Sequence, residues 1–100
     1  MGNPFATETE LAILRVLKDH GGKGGMYGLE IVRASEVSDK PLSRGTVYTT
    51  LGRMQEKNLV RSRTKAGDHP GLPRPRYTVS GLGERVLAAA EVMGLAAAGA

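Results

Sequence analysis

Residues 43–63 hold a helix that runs directly into a strand, and the rest of the chain has to be arranged around that junction. Val47, Leu51 and Met54 fall at i, i+4 and i+7, which places one apolar stripe along one side of a helix. Ser43 precedes the stripe, where its hydroxyl can accept from the free amides of the first turn. At about 100° per residue the far side carries Gly45, Thr49, Gly52, Arg53 and Glu56, with Tyr48 on the flank. Asn58 suits the left-handed residue that closes a helix, and Leu59 can fold back on Met54. The helix is therefore anchored by one face and presents a small, polar, cationic face outward.

Beyond Asn58 the period becomes two. Val60, Ser62 and Thr64 share one face and Arg61 and Arg63 the other. Residues 65–73 are rich in Gly and Pro and predict a hairpin loop. Residues 74–79 return as a second strand with Tyr77 and Val79 inward, and Pro75, which has no amide to donate, belongs at its start or on an edge.

Upstream, Thr7 and Glu10 form a capping box that opens a first helix. Leu11, Leu14 and Lys18 make its stripe, Ile13, Val16 and Leu17 widen it, and His20-Gly21-Gly22 ends it. A second helix is expected over residues 26–37, with Tyr27, Ile31 and Ala34 on one side and Tyr27 in the core. Gly28 inside a helix costs about 1 kcal/mol against alanine, which predicts a close approach to a neighbouring element. Pro41 keeps Lys40 out of helical geometry and separates this helix from the one after Ser43. Ser80 caps a last helix with a stripe of Leu82, Val86, Ala89 and Met93; it is expected to end after about three and a half turns, with residues 95–100 fraying.

The net charge of +4 is unevenly placed. Residues 1–40 carry five Lys/Arg against six Asp/Glu, residues 81–100 one against two, and residues 41–80 eight against two, or +6. A basic stripe on contiguous elements is the footprint of a polyanionic partner, the plainer reading being a solvated basic face. The absence of cysteine excludes disulfides, thiolate metal sites and cysteine nucleophiles. His20 and His69 lie far apart with no third ligand or paired carboxylate, Gly21 to Gly25 lacks the Lys-Ser/Thr of a phosphate loop, and no nucleophile–base pair appears; an enzyme, a metal site and a cofactor are not expected. No apolar run approaches the ~20 residues of a membrane span, and the first residues lack the basic and apolar parts of a signal peptide. A cytoplasmic, nucleoid-associated location is the expectation.

Gly45-Thr46-Val47-Tyr48, Leu51, Arg53-Met54 and Asn58-Leu59-Val60 resemble the recognition helix of the PadR family of bacterial winged-helix transcriptional regulators. The resemblance extends to Tyr27-Gly28-Leu29-Glu30-Ile31 upstream and to Arg76-Tyr77-Thr78-Val79-Ser80-Gly81-Leu82-Gly83 downstream, in order and at the right separations over residues 8–90. It implies a mainly α fold, a winged helix-turn-helix of three helices and a two-stranded wing, followed by a short C-terminal helix. Residues 1–80 would form the DNA-binding domain and residues 81–100 the dimerisation element.

The expected function is sequence-specific binding of double-stranded DNA by a homodimer, acting as a repressor; the alternative is a protein-interaction module that does not read DNA. Ser43, Arg44, Gly45, Thr46, Tyr48, Thr49 and Arg53 form the expected readout face, since the N-terminal part of such a helix reaches base edges. Lys57, Arg61, Arg63, Lys65, Arg74 and Arg76 are expected at phosphates, which set register without carrying sequence information. Where the family usually has two successive aromatics in the wing, Arg76-Tyr77 shifts it towards charge. By resemblance the last helix pairs with its twin through Leu82, Val86 and Met93. The resemblance implies that aromatic or cationic effectors can bind between dimer halves; a small-molecule effector is possible but not predicted, and with no tryptophan here a flat aromatic ligand is not expected.

Overall fold

The computed structural model describes residues 6–38, 41–64 and 74–99, with 94–99 described by backbone alone. The elements run α1 (Glu8–His20), β1 (Met26–Tyr27), α2 (Gly28–Ser35), α3 (Arg44–Glu56), β2 (Val60–Arg63), β3 (Arg76–Val79) and α4 (Gly81–Gly99). The three strands form one antiparallel sheet in the order β1-β3-β2.

The capping box forms at α1: the Thr7 amide donates to Glu10 Oε1 at 2.8 Å and the Glu10 amide to Thr7 Oγ1 at 3.1 Å. The apolar stripes of the helices then meet in one core. Ile13 and Leu14 of α1, Ile31 of α2, and Val47, Leu51 and Met54 of α3 have no exposed surface. Leu59, Tyr77, Val86 and Leu87 close it from the sheet and α4. Gly83 begins the packing of α4, since a Cβ there would collide with the Leu59 carbonyl and the Val79 side chain.

Five expectations are corrected. The second helix does not start at Met26: Met26 pairs with Tyr77 and Tyr27 with Arg76 as a third strand. Gly25, at φ +78°, turns the chain into that strand, and the extended Tyr27 serves as N-cap, its amide donating to Glu30 Oε1 at 2.8 Å. The helix also stops at Ser35, leaving Val37 outside it and exposed. Tyr27 is half-buried at the sheet surface rather than a core residue.

The last helix does not end after three and a half turns but continues to Gly99, nineteen residues in all. Its Ala88–Ala90 and Ala96–Ala98 runs supply the strongest intrinsic helix formers, which carries it to about 28 Å. Nor does its stripe lie on one free face. Val86 turns inward beside Leu87 and is buried, while Leu82, Val92 and Met93 point out.

Candidate nucleic-acid interface

Ser43 starts α3 with its Oγ accepting from the Thr46 amide at 3.2 Å and donating to Thr46 Oγ1 at 2.8 Å. Arg44, Gly45, Thr46, Tyr48, Thr49, Gly52 and Arg53 are exposed, opposite Val47, Leu51 and Met54. Thr50 is also buried, so the anchored face is wider than the apolar stripe alone. At its other end Asn58 takes φ 62°; the Leu59 amide donates to the Met54 carbonyl at 2.8 Å and the Asn58 amide to Gln55 at 3.0 Å. This is the six-to-one and five-to-two pattern of a Schellman cap. The Asn58 carbonyl then accepts from Ser80 Oγ, whose oxygen also accepts from the Gly83 amide, so the end of α3 and the start of α4 share one hydroxyl.

Two side-chain links that local sequence patterns do not reveal fix α3 against its surroundings. Gln55 Nε2 donates to Ser62 Oγ at 2.6 Å, tying the helix to β2. Lys57, expected at a phosphate, instead places its Nζ 2.9 Å from Glu10 Oε1 on α1, so its charge is already answered. Glu10 is almost fully buried, and its Oε2 has no hydrogen-bond partner among the described residues. Burial alone would push the Glu10 carboxyl up; the hydrogen bond from Lys57, the Thr7 bonds and the ammonium charge outweigh it and hold the carboxyl below its ordinary value.

The sheet carries the remaining cations. Arg61 and Arg63 are exposed on β2. Arg63 stands opposite Arg76, and Arg76 opposite Tyr27, so one row crosses all three strands. Like charges directly opposed on a sheet repel; here the Arg76 guanidinium lies over the Tyr27 ring, 4.5 Å from its centroid, which lowers that cost. Arg74 is exposed just before β3, while Lys65 and His69 lie outside the described residues.

Between the start of α2, the first half of α3 and the start of β3 is a cleft of about 490 Å³, lined by Gly28, Arg44, Tyr48, Arg74 and Tyr77 among others. Burial, and secondarily the neighbouring Tyr48 phenol, push the Tyr77 hydroxyl above its ordinary pKa. A second, larger groove of about 870 Å³ runs between α1, α2 and α4, with Leu11, Val16, Val37, Leu42 and Leu87 on its walls. Arg15 and Glu91 bridge α1 to α4 at its side, 3.0 Å apart. Among the described residues no cluster of His, Asp or Glu is arranged to hold a metal, and no helix is long and apolar enough to cross a membrane.

The profile of the "Transcriptional regulator PadR-like family" matches residues 13–89. A PadR family transcription regulator from hypervirulent Clostridium difficile R20291 superposes with a TM-score of 0.72 at 26% identity, over 87% of this chain and 86% of that one. A PadR-like transcription factor from Bacteroides fragilis gives 0.70 at 25% identity, over 84% and 77%. Bacillus subtilis PadR in complex with operator DNA gives 0.68 at 20% identity, over 80% of this chain and 44% of that one, a likeness of fold. No curated protein matches significantly.

Proposed function

This chain belongs to the PadR-like family of transcriptional regulators, and from that premise we propose that it binds double-stranded DNA sequence-specifically as a homodimer and represses transcription. One observation carries the reading. Helix α3 buries Val47, Leu51 and Met54 completely while its opposite face is free of large aliphatic side chains, and the Gln55–Ser62 hydrogen bond ties it to the edge strand that exposes Arg61 and Arg63. A helix of thirteen residues is about 20 Å long and fits a major groove, where arginine can pair bidentately with guanine and threonine methyls can touch thymine. Thr46, Thr49 and Arg53 do the reading, and Arg44 at the start of the helix meets the backbone beside them. Arg61, Arg63 and Arg74 meet phosphates, as does Lys65, which lies outside the described residues; Lys57 serves the fold instead.

Residues 1–80 form the DNA-binding unit in this reading and residues 81–100 the dimerisation helix, although Val86 and Leu87 also belong to the unit's core. Among the described side chains of α4, Leu82, Val92 and Met93 are the exposed large apolar residues. A second copy's helix lying against them would cover this face. The neighbour solved with operator DNA supports a DNA partner, and a regulator of this kind works in the cytoplasm on the nucleoid, with no cofactor required.

The test is selection of bound duplexes from a random library, with the mass of the free protein measured alongside. The reading expects enrichment of a two-fold symmetric site by a species of twice the chain mass. A pool that stays random while the protein captures acidic polypeptides would point to the interaction module instead.

A further inference from the structure

The cleft between α2 and α3 has a composition that the readout face does not explain. Arg44 and Arg74 both line it, and among the described residues neither has an ion-pair partner and no carboxylate lines the cleft. Glu30, the acidic residue that caps α2 through the Tyr27 amide, is not on its wall. Two guanidinium groups with no ion-pair partner among the described residues, and the phenols of Tyr48 and Tyr77, face one small concavity and call for an anion with several acceptor oxygens.

Tyr48 reaches this wall only because of Gly28. A Cβ on Gly28 would stand 2.5 Å from Tyr48 Cε1, 2.8 Å from Cζ and 2.9 Å from the hydroxyl oxygen. These separations are far inside carbon contact distance, so any other residue at position 28 would move the ring. The ring is free to move, since Tyr48 is 46% exposed. Position 28 is also the first residue of α2, where alanine is a better helix former than glycine. Replacing Gly28 should therefore displace the phenol without weakening the fold.

We propose that this cleft seats one backbone phosphate of the duplex, gripped by Arg44, Arg74 and the Tyr48 hydroxyl, and that Gly28 is the positioning residue that holds Tyr48 there. The inference rests on the DNA-binding reading above. It adds a fixed anchor that sets how deeply α3 enters the groove, since phosphate contacts determine register.

The experiment measures binding of the full chain, Tyr48→Phe and Gly28→Ala to the selected duplex and to copies in which single phosphates are replaced by neutral methylphosphonates. For the unaltered chain, one position per half-site should weaken binding roughly tenfold, as loss of a charge-assisted hydrogen bond does. Tyr48→Phe and Gly28→Ala should bind the unmodified duplex roughly tenfold more weakly and lose sensitivity at that same position. Gly28→Ala should melt no lower than the parent. If it fails to fold, Tyr48→Phe alone decides. Undiminished binding by the variants, or retained sensitivity to the methylphosphonate, overturns the seat and leaves DNA binding intact. Saturation of the cleft by inorganic phosphate at constant ionic strength, with duplex affinity unchanged, would assign the cleft to a free anion and equally overturn the seat. Failure of the parent chain to bind any duplex overturns the DNA-binding reading itself.

Discussion

Lys57 Nζ lies 2.9 Å from Glu10 Oε1, tying the C-terminal cap of α3 to the first turn of α1 across forty-seven residues of sequence. The two ends of this pair differ. The Glu10 side chain is 1% exposed and that of Lys57 41%. A carboxylate so enclosed depends on the partners it has: the Thr7 amide through the capping box and the Lys57 ammonium. The cap of one helix thereby fixes the far end of another.

Lys57→Met keeps the aliphatic stem and removes the charge, leaving Glu10 ionised and poorly paired. Stability should fall by about 1–3 kcal/mol, the cost of an unsatisfied buried polar group, held below the fully buried case because water reaches the lysine end. The pH dependence has a definite sign. The folded-state carboxyl is held below its ordinary value of 4.5, so the native state keeps its proton off where the unfolded chain binds one. The contribution is complete above that value and drains away as pH falls through it and below. Acid melting curves of the parent should show this loss, and those of Lys57→Met should show less of it.

Asn58 is the only residue other than glycine at positive φ among the described residues, at 62°. Asn58→Ala should cost about 1 kcal/mol for the left-handed backbone, whereas Asn58→Gly should cost nothing or stabilise slightly. Chemical denaturation of the two variants checks this.

Arg61 and Arg63 project from β2 into solvent. If both meet phosphates in each half of a dimer, Arg61→Gln with Arg63→Gln removes four contacts and should flatten the slope of log K against log salt by about 3–4. Specific and scrambled duplexes should lose affinity alike. An unchanged slope would take β2 out of the interface.

What the sequence made legible, and what it hid, follows from distance along the chain. Thr7–Glu10, Ser43–Thr46 and the turn at Asn58 are local, and each forms as the residue types require. The Val47, Leu51, Met54 stripe is a periodicity over two turns and is buried in full. Strand β1 was hidden because two residues show no period, and Tyr77, the partner of Met26, is fifty-one positions away. The inward turn of Val86 depends on where α1 and β3 lie, which the spacing of α4 alone does not contain. Gly28 signalled a close approach; that the approaching group is Tyr48 required the packing of α2 on α3. Lys57 is one more basic residue in a basic stretch until Glu10 is brought beside it.

The outward face of α4 predicts an oligomer. Leu82→Glu with Met93→Glu should leave a folded chain of single mass that binds a half-site poorly, because the second contact is no longer intramolecular. Val86→Glu should instead unfold it, since Val86 is core. Sedimentation and melting separate the two outcomes, and a parent chain that sediments as a monomer at micromolar concentration would retire the dimer.

Leu51, with no exposed surface, is assigned to the core and not to readout. Leu51→Ala should cost about 2–5 kcal/mol, a large share of the stability of a domain this small. The fraction that remains folded should choose among DNA sequences as the parent does, a result read from competition binding below the melting transition.

The most direct test of DNA reading by α3 is the affinity of Arg53→Ala for the selected duplex relative to a scrambled one. Arg53 is exposed on the face opposite the core, so the variant should melt within about 0.5 kcal/mol of the parent. Its discrimination should relax by about 1–3 kcal/mol, confined to one or two base positions. A variant that discriminates as sharply as the parent, or that unfolds, would contradict the outward placement of that face and the assignment of α3 as the reading helix.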